Sequence, residues 1–209
     1  DNERPTANAY RTTDSGDSWS LRATGIVASD NLQSVSFFDS SNGFIASTGG
    51  SIYTTTDGGA NWTDRNVAAV TFRSVQYVTS TIGYAVGQGG SVFKTADSGV
   101  NWSQQTSNTS SNLNSVYFMD ESTGWAVGSG GVVIRTADGG GNWTLGASGV
   151  SDTLRGVAFN NTGTTGILVG DGVVAQSTDG GATWSEISVA GISGATRLRG
   201  VTFNSVDNA

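Results

Sequence analysis

The chain has 209 residues, of which 36% are hydrophobic and 13% charged, with 31 glycines against a single proline. That length can bury a full core. The glycine content excludes a helical bundle and lacks collagen's strict period, and the low charge with a steady supply of Val, Phe and Trp excludes a disordered tail. Histidine and cysteine are absent, and 17 acidic residues face 10 basic ones for a net charge of −7, which rules out disulfides, Cys or His metal centres, thiol nucleophiles and Ser-His relays, and argues against a nucleic-acid partner.

From the N-terminus, the first recognisable element is the box Thr12 to Trp19, of the form Thr/Ser-x-Asp-x-Gly-x-x-Trp. The box recurs at Thr55 to Trp62, Thr95 to Trp102, Thr136 to Trp143 and Ser177 to Trp184, with successive tryptophans 43, 40, 41 and 41 residues apart. A period of this length signals a repeat architecture. Ahead of the second box lies a run A, Leu32-Gln-Ser-Val-Ser-Phe37, repeated at Phe72 to Tyr77, Leu113 to Phe118, Leu154 to Phe159 and Leu198 to Phe203. Between A and each box comes a run B, clearest as Gly83-Tyr-Ala-Val-Gly87 and Gly124-Trp-Ala-Val-Gly128, looser as Gly43 to Ser47 and Gly166 to Gly170. A run C leads into the box threonine or serine, and a run D leaves from the box tryptophan. All four runs are short, β-branched or aromatic, and bounded by Gly, Asn, Asp or Ser, the signature of strands and turns.

Four strands in about 40 residues is the content of one propeller blade. The fold expected is all-β: a five-bladed β-propeller of four-stranded antiparallel blades in one domain over residues 1–209. The repeats run over about 32–65, 72–105, 113–146 and 154–187, with 198–209 joined to 7–22 as the fifth. The last aromatic of A and the box aspartate are 20 residues apart in each complete unit, and the count across the joined ends gives the same 20. Closure by pairing the N- and C-terminal strands follows as an expectation. The B run of that fifth blade would then be Ala209 with Asp1, Asn2, Glu3 and Arg4, too polar for burial. That mismatch leaves room for a missing strand, a strand given by another chain that could link copies into filaments, or an excerpt of a larger propeller.

The boxes read as C-to-D hairpin turns. Asp14, Asp57, Asp97, Asp138 and Asp179 accept hydrogen bonds from turn amides, glycine supplies positive φ, and Trp19, Trp62, Trp102, Trp143 and Trp184 carry large rings back under the blade. One carboxylate per box is too few for calcium, so no metal or other cofactor is expected. These boxes, with the Gly-Trp-Ala-Val-Gly run, resemble the Asp-box (bacterial neuraminidase, BNR) propellers, and most of all the photosystem II stability and assembly factor group. The resemblance spans about Tyr10 to Phe203. It implies the propeller fold and, through that group's arginine-rich surface, a protein client. It also reaches secreted sialidases and xyloglucan-cleaving glycosidases.

The second position of each A run gives Gln33, Arg73, Asn114, Arg155 and Arg199. On the rim opposite the boxes these side chains would converge on carboxylates or sugar hydroxyls, since arginine offers a rigid fork of donors. Asp171 falls on that rim beside Arg155, a local salt bridge by expectation. Asp64 and Asp152, in D-to-A loops, are the remaining acids that an acid–base pair would require. Glu3, Glu121 and Glu186 are poorly placed for catalysis, so no catalytic residue is expected. Trp125, Tyr84 and Phe44 fall at repeat-equivalent core positions. Of five Asn-x-Ser/Thr sequons, those at Asn61, Asn101 and Asn142 are inside boxes, leaving Asn108 and Asn160 as sites a glycan could occupy.

The function expected is a non-enzymatic scaffold holding a protein or glycan on the arginine-bearing rim, with strand donation into filaments and carbohydrate chemistry as the other classes considered. A chain starting at Asp1 without Met, rich in Ser, Thr, Asn and Gly and holding one lysine, fits a processed protein that is secreted, periplasmic or cell-surface. No run approaches a membrane span.

Overall fold

A computed structural model describes residues 7–203. A hairpin comes first, β1 (Tyr10–Arg11) with β2 (Ser20–Leu21), folded around the first box. Four antiparallel sheets of four strands follow. The first holds β3 (Leu32–Phe37), β4 (Gly43–Ser47), β5 (Ile52–Thr55) and β6 (Thr63–Asp64). The second holds β7 (Phe72–Tyr77), β8 (Gly83–Gly87), β9 (Val92–Thr95) and β10 (Ser103–Gln105), and the third β11 (Leu113–Phe118), β12 (Gly124–Gly128), β13 (Val133–Thr136) and β14 (Thr144–Gly146). The fourth holds β15 (Leu154–Phe159), β16 (Gly166–Gly170), β17 (Val174–Ser177) and β18 (Ser185–Glu186). In every sheet the strands lie in chain order, and the A and B runs read from the sequence are the first two strands.

The B strands are buried almost throughout, and the D strands are exposed at their outer edge. Each B strand opens with glycine for a steric reason. In three sheets the aromatic ring that ends strand A lies against this backbone, Phe37 on Gly43, Phe118 on Gly124 and Phe159 on Gly166, so that a Cβ there would run into the ring.

The box turns are built alike. Thr55 Oγ1 donates to Asp57 Oδ1 at 2.8 Å and accepts the Gly59 N–H at 2.9 Å. Asp57 Oδ1 accepts the Asn61 N–H at 2.9 Å, and its Oδ2 accepts Asn61 Nδ2 at 2.8 Å. Asp97 with Asn101, Asp138 with Asn142, Asp179 with Thr183 and Asp14 with Ser18 repeat the arrangement. Three sequon asparagines thus spend their side-chain amides inside the turn.

The chain divides into two compact units, one of the residues up to Ala85 with Lys94–Ser103, the other of Val86–Phe93 with the residues from Gln104 on. In the first unit, Phe44 of β4 stacks on Tyr77 of β7 and meets Trp102 edge-on at 5.3 Å. The hairpin is tied to the first sheet, where Trp62 donates its N–H to Thr24 O at 2.9 Å and Nε1 to Arg22 O at 3.1 Å. In the second unit, Trp125 of β12 stacks on Phe159 of β15 at 3.9 Å, and Phe159 meets Trp184 edge-on at 5.6 Å. Each unit thus repeats one device, a B-strand ring covered by the A-strand ring and box tryptophan of the next sheet. Such side chains contribute roughly 1.5–3 kcal/mol each by burial.

The structure corrects the fifth blade. Leu198–Phe203, read as its A strand, is not a strand. Leu198 donates its N–H to Gly170 O at 3.1 Å, the Arg197 backbone forms an isolated antiparallel β-bridge with that of Asp171, and Gly200 and Val201 approach Gly156 of β15. The physical reason is the ladder. An A strand pairs with its B strand, and the run read as that partner, Ala209 with Asp1 to Arg4, lies outside the described residues. Among the described residues, the fifth repeat is the β1–β2 hairpin alone, and no pairing of N- and C-terminal strands occurs.

Candidate functional site: the arginine-bearing strand ends

The second residue of strand A has a distinct backbone setting. In three sheets the A–B register slips at this residue, between Leu32 and Ser34, Leu113 and Ser115, and Leu154 and Gly156. Gln33, Asn114 and Arg155 are therefore bulged out of the ladder, and a bulge re-aims its side chain. The repeat text alone does not contain this slip.

Gln33 and Arg73 belong to the first unit. Gln33 is exposed and its Nε2 reaches only its neighbour's carbonyl, Leu32 O, at 3.5 Å. Arg73 is half-buried, with a buried Nε that has no hydrogen-bond partner.

In the second unit, Asn114 Nδ2 donates to Leu154 O at 2.7 Å and ties adjacent A strands together. Beside it Arg155 grips Asp171 with both arms of its fork, Nε to Oδ1 at 2.6 Å and Nη2 to Oδ2 at 2.8 Å. Hydrogen bonding from Arg155 holds the Asp171 carboxyl below the ordinary range, with the charges of Arg155, Arg197 and Arg199 acting in the same direction. The same bond raises Arg155. Arg197 and Arg199 are both exposed. One guanidinium thus holds the carboxylate directly, and two exposed ones, Arg197 and Arg199, act on it by charge alone. Arg155 and Arg199 were singled out in the sequence; Arg197 was missed. Its signal was there in Arg197-Leu198-Arg199, but its place depends on the Asp171 bridge, which has no counterpart in other repeats.

Asp171 stands just ahead of the B-to-C turn of its sheet. Its N–H donates to Thr153 O, as Thr48 donates to Asn31 O and Ser129 to Asn112 O, so it is the counterpart of Thr48 and Ser129. The turn after it closes from Gly170 N to Val173 O, one residue shorter than Gly128 N to Val132 O. This shortened turn is docked by the following segment through Gly172 N to Thr196 O at 2.7 Å.

The remaining acids are committed elsewhere or exposed. Asp64 lies on β6 in the first unit and caps Asn66 N at 2.8 Å, while Asp152, Glu121 and Glu186 are exposed. Glu3 lies outside the described residues. Trp125, Tyr84 and Phe44 are fully buried. Asn108 donates Nδ2 to Trp143 O at 2.7 Å, and Asn160 accepts Thr165 N at 3.1 Å. Among the described residues, no three acidic side chains gather as a metal site, and no helix is long and apolar enough to cross a membrane.

Four-stranded antiparallel blades, each turning from its third strand to its fourth through an Asp-box, define the class, a BNR-repeat propeller. The family model for the photosynthesis system II assembly factor YCF48 matches residues 12–104 and 64–137, more than half of the chain, and the chain belongs to this family. Among solved structures it is similar to YCF48 bound to D1 peptide (20% identity, TM-score 0.62, 75% of this chain and 55% of that one). YCF48 from Cyanidioschyzon merolae is similar too (19%, 0.60, 82% and 59%), as is the GH74 enzyme of Niastella koreensis (18%, 0.71, 87% and 34%). The chain therefore spans between 55% and 59% of the YCF48 chains it matches. No curated protein matches the sequence.

Proposed function

We propose that the protein is a non-enzymatic binding module that holds an acidic segment of a protein partner against Arg155, Arg197 and Arg199, in a secreted, periplasmic or cell-surface setting. The observation that carries this reading is the imbalance of charge, with Arg155 paired to Asp171 while Arg197 and Arg199, whose charges also act on Asp171, are exposed. Arginine presents planar donors suited to carboxylates, and a positive patch on a chain of net charge −7 selects acidic partners by steering as well as by contact. Family membership supports a protein client, since a solved YCF48 is described as bound to D1 peptide. The non-enzymatic reading draws support from Asp171: a glycosidase needs two working carboxylates, and both oxygens of this one are taken by Arg155.

The test is titration of a peptide ending in a free carboxylate into the wild type and into the triple variant R155Q/R197Q/R199Q, with the amidated peptide and an acidic oligosaccharide as parallel ligands. Binding of the free peptide should fall by at least about tenfold in the variant, the scale of one charge-assisted hydrogen bond. Equal binding to both proteins overturns the proposal, and preference for the oligosaccharide assigns the cluster to glycans.

A further inference from the structure

The first unit carries an uncovered apolar groove of about 580 Å³, within the range of ligand-binding clefts. Its lining includes Leu32, Val35, Phe37 and Trp62 from the first sheet, with Tyr10 and Trp19 from the hairpin. Equivalent residues elsewhere are buried. Val35 is 61% exposed and its counterpart Val75 4%; Phe37 is 43% exposed and its counterpart Phe159 3%.

The repeats also say what covers these positions when they are covered. Over Tyr77 lies Phe44, and over Phe159 lies Trp125, each at 3.9 Å and each the second residue of a B strand. That B strand pairs in turn with strand C of its own sheet, as β12 does with β13. β1 is the C strand of the hairpin, and among the described residues it pairs with β2 alone. Arg22 N donates to Ala9 O, so strand alternation turns the Tyr10 N–H and C=O toward the open edge. Backbone edge and apolar floor thus face the same strand position, which no strand of the described residues fills.

Register fixes its chemistry. In the third sheet Ile134 lies opposite Ala126, and Arg135 opposite Trp125. Tyr10 and Arg11 hold the corresponding positions ahead of their box, which sets a small residue opposite Tyr10 and the second residue of the incoming strand opposite Arg11. Arg135 sits over the Trp125 ring at 5.7 Å, and Lys94 sits over Tyr84 at 5.5 Å. In the fourth sheet the corresponding Gln176 lies opposite Ile167, which is not aromatic. The cation at Arg11 therefore matches an aromatic partner.

We propose that this groove is the docking site for an extended segment of another polypeptide bearing the pattern glycine–aromatic–small–aliphatic–glycine, added as a strand beside β1 with its ring over Phe37. The site continues the sheet-to-sheet packing already present in each unit, with backbone bonds giving affinity and the ring pocket specificity. Among the described residues the B runs are β4, β8, β12 and β16, each between two neighbours in its own sheet, so none of these is free to be lent to a second copy. The proposal rests on first-unit residues only and is independent of the arginine cluster.

The probe is a capped peptide with the sequence of residues 122–131, Ser-Thr-Gly-Trp-Ala-Val-Gly-Ser-Gly-Gly, titrated into the 209-residue protein by calorimetry, with hydrogen exchange read at the Tyr10 amide. Saturable binding is expected, with exchange at Tyr10 slowed at least tenfold. Replacing the peptide's tryptophan by serine, or Val35 by lysine in the protein, should weaken binding at least tenfold. R11Q should narrow the preference for tryptophan over isoleucine in the peptide. V35K alters an exposed side chain and retains the fold; F37S supplies a second groove variant. Absence of binding overturns the proposal. So does a Tyr10 amide already protected in the free protein, whether in a dimer, which assigns the groove to a second copy, or in a monomer, which assigns it to this chain.

Discussion

Phe44 and Tyr77 lie face to face, ring centroids 3.9 Å apart and planes 7° from parallel, although they come from neighbouring sheets. Phe44 is fully buried between Tyr77 and Trp102. Truncating it to alanine removes the ring that packs against both and should cost about 3–5 kcal/mol. V75S, on the strand that carries Tyr77, should cost about 2 kcal/mol, whereas V35S at the matching place in the uncovered groove should stay within about 0.5 kcal/mol. Urea unfolding of the three variants checks the ranking.

The box threonine does two jobs. Thr136 Oγ1 donates to Asp138 at 2.9 Å and accepts the buried Gly140 N–H at 2.9 Å. T136V preserves the shape and removes the oxygen, leaving that amide without a partner, and should destabilise by about 1–3 kcal/mol. Thermal unfolding of the variant against wild type measures it.

Acid should loosen the boxes in a defined window. Asp14, Asp57 and Asp179 are lowered to about 2, chiefly by hydrogen bonds from the Ser18 side chain, the Asn61 amide and the Thr183 side chain respectively. Since the folded values lie below the unfolded ones, the stabilisation is complete above the ordinary carboxylate range and disappears as pH falls through the folded values. The urea midpoint should be flat with respect to these groups from pH 7 to about 5 and decline from about 4 toward 2. A midpoint constant down to pH 2 would contradict the hydrogen bonding described.

Asp171 competes with any anionic ligand for Arg155. D171A frees that guanidinium, so affinity for a carboxylate peptide should rise, on the order of tenfold, and the gain should shrink as salt screens the cluster. A fall in affinity would make Asp171 part of the recognition surface itself.

Adjacent glycines in one turn separate two steric effects. Gly130 and Gly131 both have positive φ, 70° and 69°. A Cβ at Gly130 meets open space, whereas at Gly131 it would overlap the Val150 carbonyl oxygen. G130A should cost about 1 kcal/mol, the strain of the left-handed region, and G131A distinctly more, read from paired denaturation curves.

The strands of the four sheets were legible in the sequence because each run repeats with its own bounding glycines and polar residues. Less legible was whatever depends on a neighbour. Leu198–Phe203 carries the A text as fully as Leu154–Phe159, yet forms no strand, because pairing belongs to two segments and the text to one. Val35 and Val75 share a motif and differ in burial for the same reason. At the candidate site, the Arg155–Asp171 pair could be read from proximity in the repeat. The bulge that re-aims Arg155 and the shortened turn that places Asp171 could not, since both are properties of hydrogen-bond register.

Each box turn is bonded mainly within itself, as in Thr55 with Gly59 and Asp57 with Asn61, and in the four sheets one further amide reaches the A-to-B loop of the same sheet, as Gly58 N does to Ser41 O. A turn bonded mainly within its own four-stranded repeat travels intact when that whole repeat is copied or excised. Gene duplication can therefore lengthen or shorten such an array one module at a time, and selection on the seams between modules, rather than on the hairpins, decides which lengths survive.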